Sequence, residues 1–138
     1  MIAYFDASAL VKRYVEEAES DEVDALLAEV VPTTSRLTQI EISSALARRC
    51  RSGDLSAGER DRVLDAIQED LESFYIVELD PSVALRARSV LVTHALRASD
   101  AIQIASCLVI RDRLASAVSF VAYDDRLVAA ASREGLIT

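Results

Sequence analysis

The chain has 138 residues, 51% of them hydrophobic and 28% charged, with 15 Lys plus Arg against 23 Asp plus Glu for a net charge of −8. Size and apolar content predict one globular domain over residues 1–138, with a core that needs no disulfide or metal staple, and they exclude disorder. Three Gly, two Cys and one His rule out Gly-rich phosphate loops and His- or Cys-rich metal sites, so carboxylate is the abundant chemistry.

Ile2 to Phe5 is a short apolar run stopped by Asp6, which predicts a strand, and a helix starting near Ser8 carries Ala9, Leu10 and Tyr14. A second helix is expected over Ser20 to Glu29. It lies in an acidic stretch, Glu16 to Glu29, with seven acids and no base, which predicts a solvated surface. Val30-Val31-Pro32 suggests the next strand. Thr38-x-x-Glu41 has the form of a capping box, opening a helix that Gly53 is placed to end, and Ser56-x-x-Glu59 repeats the signal. Tyr75 to Leu79 predicts a strand, and Asp80-Pro81 supplies an N-cap and first-turn proline for the helix after it. A further helix begins near Ser99. Ser119 to Tyr123 is a strand, Asp124 to Glu134 a helix stopped by Gly135, and Leu136-Ile137 a short edge strand.

Short strands alternating with helices predict an α/β fold, with a mainly parallel sheet of about five strands and helices on both faces. The longest uncharged run, Ala101 to Ile110, is too short to cross a bilayer, and Met1 to Asp6 has no leader-like pattern, so a cytoplasmic protein without a membrane partner is expected. Cys50 and Cys107 stand in no ligand-like spacing and read as reduced thiols in or beside the core. His94 reads as a boundary residue.

Four acids share a context. Asp6 ends the first strand, Glu41 and Asp100 fall in first turns of helices, and Asp124 joins a strand to the last helix. In an open parallel sheet, strand ends and the following helix starts face one rim, where ligands bind. Four carboxylates meeting there would require a divalent cation, and an all-oxygen set suits Mg²⁺ or Mn²⁺ better than Zn²⁺. The structural alternative is helix capping, which favours acids at these positions. It is strongest for Glu41 and for Asp124 or Asp125, and weakest for Asp6 and Asp100.

The same residues carry a resemblance. Tyr4-Phe5-Asp6-Ala7-Ser8-Ala9-Leu10-Val11-Lys12, Thr38-Gln39-Ile40-Glu41-Ile42-Ser43-Ser44-Ala45-Leu46, Leu96 to Ala105 around Ser99-Asp100-Ala101, and Phe120 to Leu127 around Tyr123-Asp124-Asp125 resemble the four motifs of PIN-domain ribonucleases. Within that group the chain is similar to the VapC-type toxins of toxin–antitoxin pairs. The resemblance implies a PIN-like fold and Mg²⁺- or Mn²⁺-dependent cleavage of single-stranded RNA. Asp6, Glu41, Asp100 and Asp124 would hold the metal or orient its water, and Ser8 would give a supporting hydrogen bond. Asp125 is a further metal ligand or a cap for the last helix, the cap being favoured. Ala122 stands where family members often carry Thr or Ser, which removes one hydrogen bond to the metal shell. A cognate antitoxin and a homodimer are also implied, the antitoxin groove lying between the early helices at Leu10, Val11, Tyr14 and Leu46.

Fourteen of the fifteen basic residues are Arg, which suits placed bidentate phosphate contacts despite the negative net charge. Arg48, Arg49, Arg51, Arg97 and Arg126 are the candidates, with pairing to surface acids as the alternative, and Lys12 shares that ambiguity. Two competing functions remain open from sequence. One is a haloacid-dehalogenase-like phosphatase with Asp6 as nucleophile, weakened because Ser8 stands where a second aspartate is needed. The other is a catalytically silent PIN-fold binding module.

Overall fold

The computed structural model describes all 138 residues. Four strands form one parallel sheet: β1 (Ile2–Phe5), β2 (Val31–Ser35), β3 (Tyr75–Val77) and β4 (Val118–Val121), in the order β3-β2-β1-β4. Seven helices connect and follow them: α1 (Ala7–Tyr14), α2 (Ser20–Leu27), α3 (Arg36–Arg51), α4 (Ala57–Leu71), α5 (Pro81–Thr93), α6 (Ala98–Leu114) and α7 (Asp125–Arg133).

The strand alternation of β1 builds both layers. Ala3 and Phe5 point into a core shared with Leu10, Val23, Ile42, Leu46 and Ile67 from α1 to α4, while Tyr4 points the other way, among α5, α6 and α7. The chain runs outward from β1 to β3 with α1 to α4 on one face, then returns past β1 to β4 with α5 and α6 on the other. Reversing direction along the sheet requires the opposite face if every crossover is right-handed. β1 is therefore the switch point, and the crevice beyond its carboxyl end, between β1 and β4, is where such sheets bind ligands.

The sheet has four strands rather than five. Leu136-Ile137 contributes a single parallel bridge from Ile137 to Ser119 and no ladder. The third strand stops at Val77, since the chain turns at once through a bond from the Asp80 N–H to the Glu78 carbonyl and enters α5 at its Asp80 cap. The Ser56–Glu59 capping box is present. The one expected at Thr38–Glu41 is not: β2 passes directly into α3, the Ser35 hydroxyl accepts from the Leu37 N–H at 3.1 Å, and Thr38 is buried. Glu41 thus sits in the second turn.

The acidic stretch is the solvent-facing surface expected, with none of its seven acids buried, but several of them are paired. Lys12, itself buried, pairs with both Glu17 and Glu19, Arg13 reaches Asp24, Arg49 reaches Glu17, and the Tyr123 hydroxyl donates to Glu22. Leu10 and Leu46 belong to the core and line no groove, whereas Val11 and Tyr14 are half-buried. Cys50 and Cys107 are free thiols. No helix is long and apolar enough to cross a membrane.

Candidate active site

Asp6 follows β1 directly and caps α1. Its Oδ1 accepts from the Ala9 N–H at 3.0 Å and from the Ser8 hydroxyl at 2.7 Å, which leaves Oδ2 without a protein partner. Ser8 also accepts from the Tyr123 N–H at 3.0 Å, so one hydroxyl ties the end of β1 to the segment after β4. Asp124 repeats the arrangement at α7. Its Oδ1 accepts from the Arg126 and Leu127 N–H groups, and Oδ2 is left over. The cap of α7 is therefore Asp124, while Asp125 is an exposed first-turn residue. Asp100 lies in the first turn of α6, after an Arg97 cap position that makes no side-chain bond.

Glu41, Asp100 and Asp124 line one cavity of about 660 Å³, together with Arg97 and Arg126. Asp6 lies deeper, 3% exposed, and feels the charges of Glu41 and Asp100. Asp125 and Ser8 are not among the lining residues. Burial lifts the Asp6 carboxyl to about 7, against the opposing pull of its bonds from Ser8 and Ala9. Glu41 and Asp100 are also raised, each first by burial, and Asp100 next by the Asp124 charge; Arg97 and Arg126 pull Asp100 the other way. No basic side chain forms an ion pair with any of the four.

Glu41 is held from behind by a residue that sequence reasoning passed over. Gln103 is buried in α6; its Nε2 donates to Glu41 Oε1 at 2.7 Å and to the Thr38 hydroxyl at 3.0 Å, and its Oε1 accepts from the Tyr4 hydroxyl. Each hydroxyl has one proton, and this gives the chain a direction. Thr34 donates to the Phe5 carbonyl at 2.6 Å, so Thr38 donates to Thr34 and is left to accept from Gln103. The amide orientation follows, with only its NH₂ end available to Glu41. A lone amide among the apolar residues of α6, three positions after Asp100, was the available signal.

No three His, Cys, Asp or Glu side chains converge tightly enough to grip one ion directly. The expected carboxylate cage is thus an open arrangement. Its donors are nonetheless all oxygen, with free carboxylate oxygens on Asp6 and Asp124 and no cationic side chain ion-paired to them. A hard divalent ion that keeps several of its waters and uses only one or two direct carboxylates fits such a site, and a tight tetrahedral ion does not.

Ser8→Ala is expected to cost about 1–2 kcal/mol, because it strands the half-buried Tyr123 N–H and removes a donor to Asp6. A lowered urea midpoint with an unchanged slope would show this.

The sequence model of the PIN domain matches residues 3–133. A curated relative, ribonuclease VapC45 of Mycobacterium tuberculosis, is 37% identical over 116 residues, covering 80% of this chain and 78% of its own. A toxin–antitoxin complex from Klebsiella pneumoniae superposes with a TM-score of 0.70 at 18% identity, over 99% of this chain and 96% of that one. VapC20 of Mycobacterium tuberculosis, described as a sarcin–ricin loop cleaving toxin, superposes with a TM-score of 0.69 at 19% identity, over 93% and 94%. Those two likenesses establish the fold, and the family match over nearly the whole sequence establishes the lineage: this chain belongs to the PIN-domain family.

Proposed function

We propose that the chain is a metal-dependent endoribonuclease, the toxin of a toxin–antitoxin pair, which hydrolyses single-stranded RNA at the acidic cavity. The observation that carries this reading is the meeting of Glu41, Asp100 and Asp124 around one cavity, with Asp6 beneath and no cationic side chain paired to any of them. The 37% identical relative named a ribonuclease supports the substrate class.

Mg²⁺ or Mn²⁺, when bound, supplies Lewis-acid stabilisation of the phosphoryl oxygens and a water of lowered pKa. The protein groups do the rest. Asp6, Asp100 and Asp124 offer oxygens to the ion, directly or through its waters, Glu41 orients the attacking water, and Ser8 steadies Asp6. Arg97 and Arg126 offset the charge of incoming phosphates. Hydrolysis in this manner leaves a 5′-phosphate and a 3′-hydroxyl.

An antitoxin partner is supported by the likeness to a chain from a toxin–antitoxin complex. A second copy of this chain is a natural cover for Leu85 and Val92 on α5, which stand 64% and 89% exposed. The two free thiols suit a cytoplasmic setting. A phosphatase reading is disfavoured because the only lysine, Lys12, is occupied by Glu17 and Glu19.

The test is cleavage of pooled cellular RNA with Mg²⁺ or Mn²⁺, with EDTA, and by Asp100→Asn. Loss of at least roughly a hundredfold in rate is expected for both interventions. Cutting that persists through both sinks the reading, and hydrolysis of small phosphate esters without RNA cutting supports the phosphatase. A folded, inert chain that binds a partner would be the silent module.

A further inference from the structure

A second cavity, of about 340 Å³, adjoins the acidic one, and the two share Ala95, Leu96 and Arg126 as a common wall. Along one side runs a stripe of α7. Arg126, Ala129, Ala130 and Arg133 are spaced i, i+3, i+4 and i+7 and so lie on one helix face. The opposite side is the connection between α5 and α6, from Thr93 to Leu96. That connection is pinned to α7 twice: His94 Nε2 lies 3.0 Å from Glu134 Oε1, and the Arg126 guanidinium donates to the Ala95 carbonyl at 3.2 Å. The groove is therefore shaped before anything enters it, which lowers the ordering cost of binding.

The groove gathers unpaired cations. Arg13, Arg36, Arg49, Arg60, Arg86, Arg111 and Arg113 all pair with carboxylates. Arg48, Arg51, Arg62, Arg88, Arg97, Arg126 and Arg133 do not, and Arg97, Arg126 and Arg133 are the ones that line the two joined cavities. Arg126 and Arg133 stand about 10 Å apart along the axis of α7. A strand whose reacting phosphate lies among the carboxylates carries further negative charges outward, and the acids repel them. The groove offers cations along that exit, and its small apolar floor of Ala129 and Ala130 gives a sugar or base a surface without selecting among bases.

We infer that the groove between α7 and the Thr93–Leu96 connection is a backbone subsite for single-stranded RNA, in which Arg126 and Arg133 hold phosphates flanking the one that reacts. This rests on the ribonuclease reading. It adds a path for the strand and assigns Arg133, which touches none of the four acids, to substrate binding.

The experiment measures binding of a labelled random-sequence 12-nucleotide RNA by fluorescence anisotropy across a salt series at fixed Mn²⁺, using the full chain with Asp100→Asn so that the strand stays whole. Adding Arg133→Gln is expected to weaken binding several-fold and to lower the slope of log affinity against log salt by about 0.7; adding Arg126→Gln as well lowers it by about 1.4. Arg88→Gln, which removes an exposed charge on α5, leaves the slope unchanged. Unaltered affinity and slope in Arg133→Gln overturn the subsite. So does displacement of poly-glutamate from the groove with no change in RNA binding, which would assign it to an acidic protein partner. If the wild-type chain neither binds nor cuts RNA, the ribonuclease reading itself has failed, whereas normal cutting with a silent Arg133 removes the groove alone.

Discussion

Asp6→Asn is expected to yield a protein that cuts no RNA and yet, without metal at pH 8, unfolds at a higher temperature than the parent. Burial holds the Asp6 carboxyl at about 7 in the folded chain, against 3.8 for an ordinary aspartate. Between those values the folded state keeps a proton that the unfolded state releases. The contribution of Asp6 to the stability of the metal-free protein is therefore full below about pH 4, is lost as pH rises to about 7, and is level above that. A shift of this size corresponds to at most about 4 kcal/mol. Asparagine removes the buried charge but keeps the oxygen that accepts from the Ala9 N–H and the Ser8 hydroxyl, so the α1 cap survives. The gain is expected to raise Tm by roughly 5–15 °C. Adding Mn²⁺ should reverse the order, because only the parent gains stability by binding it. An Asp6→Asn protein no more stable than the parent at pH 8 would mean that the Asp6 charge is already balanced without metal.

Gln103→Leu is expected to be damaging in a different way. It strands the Tyr4 hydroxyl and removes the donor to the Thr38 hydroxyl and to one Glu41 oxygen at once, Tyr4 and Thr38 being fully buried. Unsatisfied buried polar groups cost about 1–3 kcal/mol each, and members of one network do not add independently, so a loss of about 3–5 kcal/mol is expected in urea unfolding. Tyr4→Phe removes only the donor to Gln103 Oε1 and should cost about 1–2 kcal/mol. Mn²⁺ affinity, measured by titration calorimetry on the folded fraction, should fall more for Gln103→Leu than for Tyr4→Phe, since only the first releases Glu41. Equal affinity in both variants would show that Glu41 needs no support from behind.

The order of elements, the parallel sheet and the gathering of acids at one rim were legible because each rests on local signals. Asp80-Pro81 starts a helix and Gly135 follows the last one whatever surrounds them. Glu41 lines the cavity, but not for the reason its local pattern suggests. Thr38-x-x-Glu41 has the letters of a capping box, but Thr38 gives its hydroxyl to a buried network with Thr34 and with Gln103, 65 residues away, while Ser35 takes over the cap. A competition settled by a distant residue leaves no trace in a local pattern. The same holds for the acidic stretch, whose partners Arg49 and Tyr123 come from other elements. Arg133 is seven residues beyond Arg126 on an ordinary amphipathic helix, and only the His94–Leu96 connection opposite turns that stripe into a groove.

Asp6 and Asp124 each give one carboxylate oxygen to the start of a helix and keep the other free of protein partners. On the proposed mechanism, exchanging the second oxygen for nitrogen removes the chemistry and leaves the scaffold, and in the genetic code that exchange is a single nucleotide change. A cutting enzyme and its inert, correctly shaped double are therefore one mutational step apart at two separate positions. Lineages built on this fold have a short route from nuclease to pure binding protein, along which the partner surface never has to be rebuilt.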